Sequence, residues 1–180
     1  MKKFLWLVFS TLLLTGCATT SVPLPIRTAP PGSPDLVTVR GAPDRYVGTK
    51  VRWGGIIAGV ENRAKETWLE IVGRPLTGSG RPVEQGSSDG RFLARVGTFL
   101  DPAVYAQGKA VTVVGTLQDS VQRPIGQYPY TFPVVRTEMV YLWPPLPEPQ
   151  PYIYDPFWRD PFWYDPWYPY YRPWPYHRHW

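Results

Sequence analysis

Cys17 is the only cysteine in the 180-residue chain, and His177 and His179 are its only histidines. Few kinds of side-chain chemistry are therefore open to it. Cys17 closes the tetrad Leu14-Thr15-Gly16-Cys17, which follows the apolar run Phe4-Leu5-Trp6-Leu7-Val8-Phe9-Ser10-Thr11-Leu12-Leu13-Leu14 and a basic start at Lys2 and Lys3. This is the composition of a secretory signal, with an apolar run well short of the ~20 residues that span a bilayer. The tetrad has the order of a bacterial lipobox: a large aliphatic residue, two small ones, then cysteine. Small side chains at Thr15 and Gly16 admit a peptidase to the Gly16–Cys17 bond, and the Cys17 thiol is the nucleophile that accepts a diacylglyceryl group. At about 0.8 kcal/mol per buried CH₂, multiple acyl chains on Cys17 would make desorption negligible.

The remaining polar residues offer no comparable centre. Between Val37 and Trp143 there is neither histidine nor cysteine, so Ser79, Ser87, Ser88 and Ser120 have no imidazole partner and the common zinc ligand sets cannot be assembled. Lys50, Lys65 and Lys109 form no motif beside a serine. Glu66 and Glu70 fall on one face of a strand by alternation, where solvent exposure is the default. His177-Arg178-His179 supplies two metal-ligating side chains without a third. No enzymatic activity, cofactor or resident metal is expected.

Charge and cysteine usage bound the surroundings. The formal charge is +5, of which Lys2 and Lys3 leave with the signal, and the remaining +3 is too weak a bias to argue for nucleic acid. A lone thiol would be a liability in an oxidising compartment, and lipid on its sulfur removes the difficulty. Ala18 follows the cysteine, where lipoproteins kept in the inner membrane commonly carry Asp. By resemblance to that sorting rule, the expected location is the outer membrane, on its periplasmic face.

The elements fall into four segments. Residues 1–16 are the signal, and 17–36 read as a lipidated cysteine with a tether, since Pro23, Pro25, Pro30, Pro31 and Pro34 oppose regular pairing. Residues 37–143 carry strand periodicity. Strands are expected from Lys50 to Val60, Thr67 to Val72, Arg91 to Val96, Ala110 to Gly115 and Phe132 to Leu142, with a bulge or tight bend at Gly54-Gly55. Asp101-Pro102-Ala103-Val104-Tyr105 has an Asp cap with Pro at the first helical position, which predicts a short helix between strands three and four, ended by Gly108. Asp44 to Gly48 reads as a single helical turn. The fold class is mainly β: a small five-stranded OB-like barrel, with an open sandwich as the alternative. Trp53 and Trp68 are expected in its core or at its rim, and the polar Thr77 to Asp89 connection as a solvated loop that could flank a groove.

Several segments of this domain resemble a known family. Val51-Arg52-Trp53-Gly54-Gly55-Ile56-Ile57, Gly90-Arg91-Phe92-Leu93-Ala94, Phe99-Leu100-Asp101-Pro102, Val111-Thr112-Val113-Val114-Gly115 and Ile125-Gly126-Gln127-Tyr128-Pro129-Tyr130 are similar, in that order, to the Slp family of outer-membrane lipoproteins. The resemblance implies a starvation- or stress-related envelope lipoprotein without an established activity. It does not account for the C-terminal tail.

Residues 144–180 are that tail. Asp155-Pro156-Phe157-Trp158-Arg159 repeats as Asp160-Pro161-Phe162-Trp163-Tyr164 and Asp165-Pro166-Trp167-Tyr168-Pro169. Such proline density favours extended or turn-rich chain, disordered or partly ordered, over a packed core. Tryptophan and tyrosine settle at membrane headgroup level, so Trp158, Trp163, Trp167 and Trp174 are candidate surface or membrane contacts. Expected partners are membrane lipid through Cys17, and envelope proteins, peptidoglycan or lipopolysaccharide. A structural role stands first, with a binding module for an envelope glycan, lipid or small ligand as its alternative.

Overall fold

A computed structural model describes residues 22–147. Five strands make the body: β1 (Lys50–Asn62), β2 (Thr67–Arg74), β3 (Gly90–Val96), β4 (Ala110–Ile125) and β5 (Tyr128–Leu142). They form one sheet that closes on itself in the order β1-β2-β3-β5-β4, with β4 returning to β1. All pairings are antiparallel except β3 with β5, where Leu93, Ala94 and Arg95 face Val134, Val135 and Arg136 in parallel. Closure removes the sheet edges that would otherwise invite pairing with other chains.

Alternation decides what lies inside. Val51, Trp53 and Ile57 on β1, Leu69 and Ile71 on β2, Phe92 and Ala94 on β3, and Val111 and Val113 on β4 share one core. The Trp53 and Phe92 rings meet edge to face with centroids 5.3 Å apart. Helix α2 (Leu36–Gly41) adds Leu36 and Val39, one helical turn apart, to the same core. It starts where the Asp35 carboxylate accepts from Thr38 N–H at 2.6 Å, an N-cap that the preceding prolines leave in place. A 3₁₀ turn over Pro43–Tyr46 then leads into β1, in the region expected to hold a helical turn.

Four expectations need correction. The helix between strands three and four is only a turn. Asp101 does cap it, accepting from Ala103 N–H at 2.8 Å, but Tyr105 N–H to Asp101 O is its one bond of helical span. A single such bond does not offset the cost of nucleating a helix.

Likewise, the Pro-rich stretch expected to act as a tether is folded from Val22 onward. It forms α1 (Leu24–Arg27), whose Ile26 is fully buried. Prolines stop this stretch from pairing as a strand but not from packing.

The paired glycines, thirdly, carry no bulge: the register of β1 against β2 shifts between Ile57 and Gly59. Gly54 and Gly55 serve close approach instead, because β1 is flanked there by β2 and β4 at once. A Cβ on Gly55 would overlap the Val72 carbonyl.

Finally, β4 continues from its expected end at Gly115 to Ile125 and β5 starts at Tyr128 rather than Phe132, so the two form a hairpin around Gly126 (φ 61°), with Pro124 opposite Pro129 near its tip. Proline costs little where the ladder is ending.

Gly55→Ala is expected to destabilise the domain by about 3 kcal/mol, since the clash is with backbone that no side-chain rotation relieves. A chemical denaturation midpoint reads this directly, and an unchanged midpoint would contradict the packing described.

Candidate functional site

Two external clusters flank the closed sheet. In the first, Ile26 of α1 lies with Ala110, Val114 and Trp143, joined by the partly buried Val22, Ile56, Met139 and Tyr141. This covers the outer face of β4, whose residues Ala110 to Gly115 are all buried. Thr112 is polar and fully buried here, and its hydroxyl is satisfied twice: it donates to Gly80 O at 2.7 Å and accepts from Trp143 Nε1 at 3.0 Å.

Beside this cluster runs a groove of about 220 Å³, bounded by Ser33, Pro34, Arg52, Trp53, Arg74 and Leu76. Its arginines are engaged with backbone. Arg52 Nη1 donates to Ile26 O (2.9 Å) and Arg27 O (2.5 Å), and Trp53 Nε1 donates to Pro34 O (2.9 Å). Burial lowers the Arg52 pKa from its ordinary value. Arg74 holds Gly86 O in the 77–89 connection, and Arg81 donates to Pro144 O at 2.9 Å while pairing with Glu84. Arg52 on β1 and Arg74 at the end of β2 each clamp a piece of non-strand chain to the sheet, whereas Arg81 ties the 77–89 connection to the segment after β5. Their Nε groups are buried without partners, so the clamps spend part of their hydrogen-bonding capacity.

The second cluster lies on the outer face of β2 and β3. Trp68, Leu93, Phe132 and Val134 pack together under the β4–β5 hairpin. Trp68 is only 8% exposed because two guanidiniums cover its ring, Arg63 at 4.2 Å and Arg123 at 4.8 Å from the centroid. Each such contact is worth about 0.5–1 kcal/mol. Glu61 ties both arginines together at 2.8 Å each, while Glu66 accepts from Trp68 Nε1 (2.7 Å) and Arg95 (2.5 Å). Glu66 and Glu70 are thus not simply solvated: they pair with Arg95 and Arg91.

Trp53 and Trp68, both expected in the core or at the rim, are both buried, Trp53 in the central core and Trp68 in the outer cluster. Sequence reasoning missed the Trp68 cover and the three clamps. A faint local signal of the first was Arg63, five residues before Trp68 in the β1–β2 connection. Arg123 is sixty-two residues from Glu61 and had none. Gly80 and Pro82 of the expected solvated loop are buried, Gly80 against α1. Gly16 and Cys17, the four candidate tail tryptophans Trp158, Trp163, Trp167 and Trp174, and His177 and His179 lie outside the described residues. Among the described residues, no group of three or more His, Cys, Asp or Glu could hold a metal, and no helix is long and apolar enough to cross a membrane.

The bond from Arg63 holds the Glu61 carboxyl below its ordinary value of 4.5, and Arg123 adds to this. A depressed carboxyl contributes stability that is fully present above the unfolded-state value and is lost as pH falls through the folded-state one. Melting temperature should therefore drop on acidification below about pH 4.5, and Glu61→Gln should narrow that drop while leaving the protein weaker near neutrality. Parallel pH profiles for the two proteins would refute the coupling.

The sequence matches the Outer membrane lipoprotein Slp family over residues 14–174, so the match extends through most of the tail that the motif resemblance was expected to leave out. It is 42% identical over 126 residues to the Uncharacterized lipoprotein YeaY of Escherichia coli (strain K12), covering 69% of this chain and 64% of that one, so less than two thirds of that relative is spanned. It is 33% identical over 145 residues to the Outer membrane protein Slp of the same organism, covering 79% and 76%. An Uncharacterized protein of Haemophilus influenzae is 32% identical over 94 residues, covering 52% and 51%. None of these names states an enzymatic activity. With a family match over most of its length, the chain belongs to the Slp family of outer membrane lipoproteins.

Proposed function

We propose that the protein is a non-enzymatic structural lipoprotein of the cell envelope, in a stress-related role, anchored through lipid on Cys17 to the periplasmic face of the outer membrane. Cleavage falls between Gly16 and Cys17, and the domain is an OB-like barrel. The strand order β1-β2-β3-β5-β4 with one parallel pair supports that architecture.

The observation that carries the structural role is how the aromatic and cationic side chains are used. Trp53, Trp68 and Trp143 are each no more than 8% exposed. Trp68 stacks on Arg63 and Arg123, Trp143 lies under Arg81, and Arg52 and Arg74 hold backbone carbonyls. Ligand platforms leave such faces and charges open, and this domain uses them to hold itself together. The chain suits a rigid body presented on a lipid anchor, whose partners meet its surface or its Pro/aromatic tail, where Trp158, Trp163, Trp167 and Trp174 are the contact candidates.

Cys17→Ala should move the protein out of the outer-membrane fraction and remove the acyl mass from its N-terminal peptide. A variant still recovered with that membrane and still carrying lipid would refute the anchor. Photo-cross-linking in intact cells tests the role itself: defined protein neighbours are the expected adducts, and adducts predominantly with saccharide would favour the glycan-binding alternative.

A further inference from the structure

The described chain begins at Val22, and Val22 is already packed against the first external cluster. Only Ala18, Thr19, Thr20 and Ser21 separate it from Cys17. At ~3.3–3.6 Å per residue, even a fully extended link keeps Val22 within about 18 Å of the lipidated cysteine. From Val22 onward the stretch expected as a tether is clamped: Ile26 is fully buried and Arg52 holds the carbonyls of Ile26 and Arg27.

Two further observations concern the same face. Leu24, two residues after Val22, is 65% exposed, and Arg27 on the same helix is also exposed, an apolar and a cationic side chain side by side. Trp143, at the other end of the domain's sequence, sits in this cluster too, its N–H bonded to Ala110 O at 2.9 Å. Both ends of the domain therefore meet at one patch. The hairpin turn at Gly126-Gln127 belongs to a different wall, since the hairpin packs on Trp68 and Leu93 of β2 and β3, whereas the patch covers β4 and β1.

We propose that this patch, around Val22, Leu24 and Arg27, is a membrane-docking face seated on the bilayer that holds the acyl chains of Cys17, with the β2–β3 wall and its hairpin turned away. The placement rests on acylation of Cys17. Leu24 enters the headgroup boundary and Arg27 meets lipid phosphate.

The test uses the full-length acylated protein in phosphatidylethanolamine/phosphatidylglycerol vesicles that contain a headgroup-nitroxide lipid. With the Cys17 thiol blocked by lipid, Leu24→Cys and Gln127→Cys each supply one free thiol for a bimane label. The label at position 24 is expected to be quenched at least threefold more than the label at 127. Equal quenching in protein whose intact mass shows the acyl chains overturns the docking face and leaves the anchor standing. A mass without acyl chains overturns both.

Discussion

The outer face of β4 cannot be left open to water. Ala110 to Gly115 are buried on both faces, so the residues that point away from the core need a second cover as much as the inward ones need the first. An apolar strip such as Ala110 and Val114 would otherwise remain exposed, at about 25 cal/mol for each Å² left in water. Cover comes from outside the sheet, from α1, from the 77–89 connection through Gly80, and from Trp143 after β5. Thr112 is the pivot, since its hydroxyl bonds two of these three pieces. The arginine clamps follow from the same requirement. Segments that make no ladder bonds need side chains to satisfy their carbonyls, and Arg52, Arg74 and Arg81 do so.

The closed sheet was largely legible because alternation is a local signal. Val51, Trp53 and Ile57, or Arg91 to Val96, reveal strand and inward face without any knowledge of neighbours. The length of the β4–β5 hairpin was hidden by Pro124 and Pro129. Either proline alone reads as a breaker, and only their position opposite one another near a turn makes them harmless. The 101–105 helix failed for the opposite reason: a sound cap with no helix behind it. The fate of residues 22–36 could not be read at all, because proline content reports what backbone pairing is impossible and says nothing of whether Ile26 finds a pocket. Of the residues that could bear function, Cys17 was read from a local motif, while the stacking of Arg123 on Trp68 depends on contact across the fold.

Trp68 shows how the domain treats its outer wall. A tryptophan on the outside of a small closed sheet is an adhesive surface. Here two guanidiniums lie over the ring and two carboxylates hold those guanidiniums or the indole N–H in place. Pairs of this kind are individually weak at an exposed site. Their joint effect is to exchange a sticky aromatic face for a charged, hydrated one.

The meeting of Val22 and Trp143 in one cluster also sets a load path. If the envelope pulls on the C-terminal tail while the lipid holds Cys17, the force enters and leaves through neighbouring residues on the outside of the sheet. Tension is then borne first by Ile26, Trp143 and the bond from Trp143 N–H to Ala110 O. Peeling α1 or Trp143 from that cluster would part the two ends without drawing a strand from the ring.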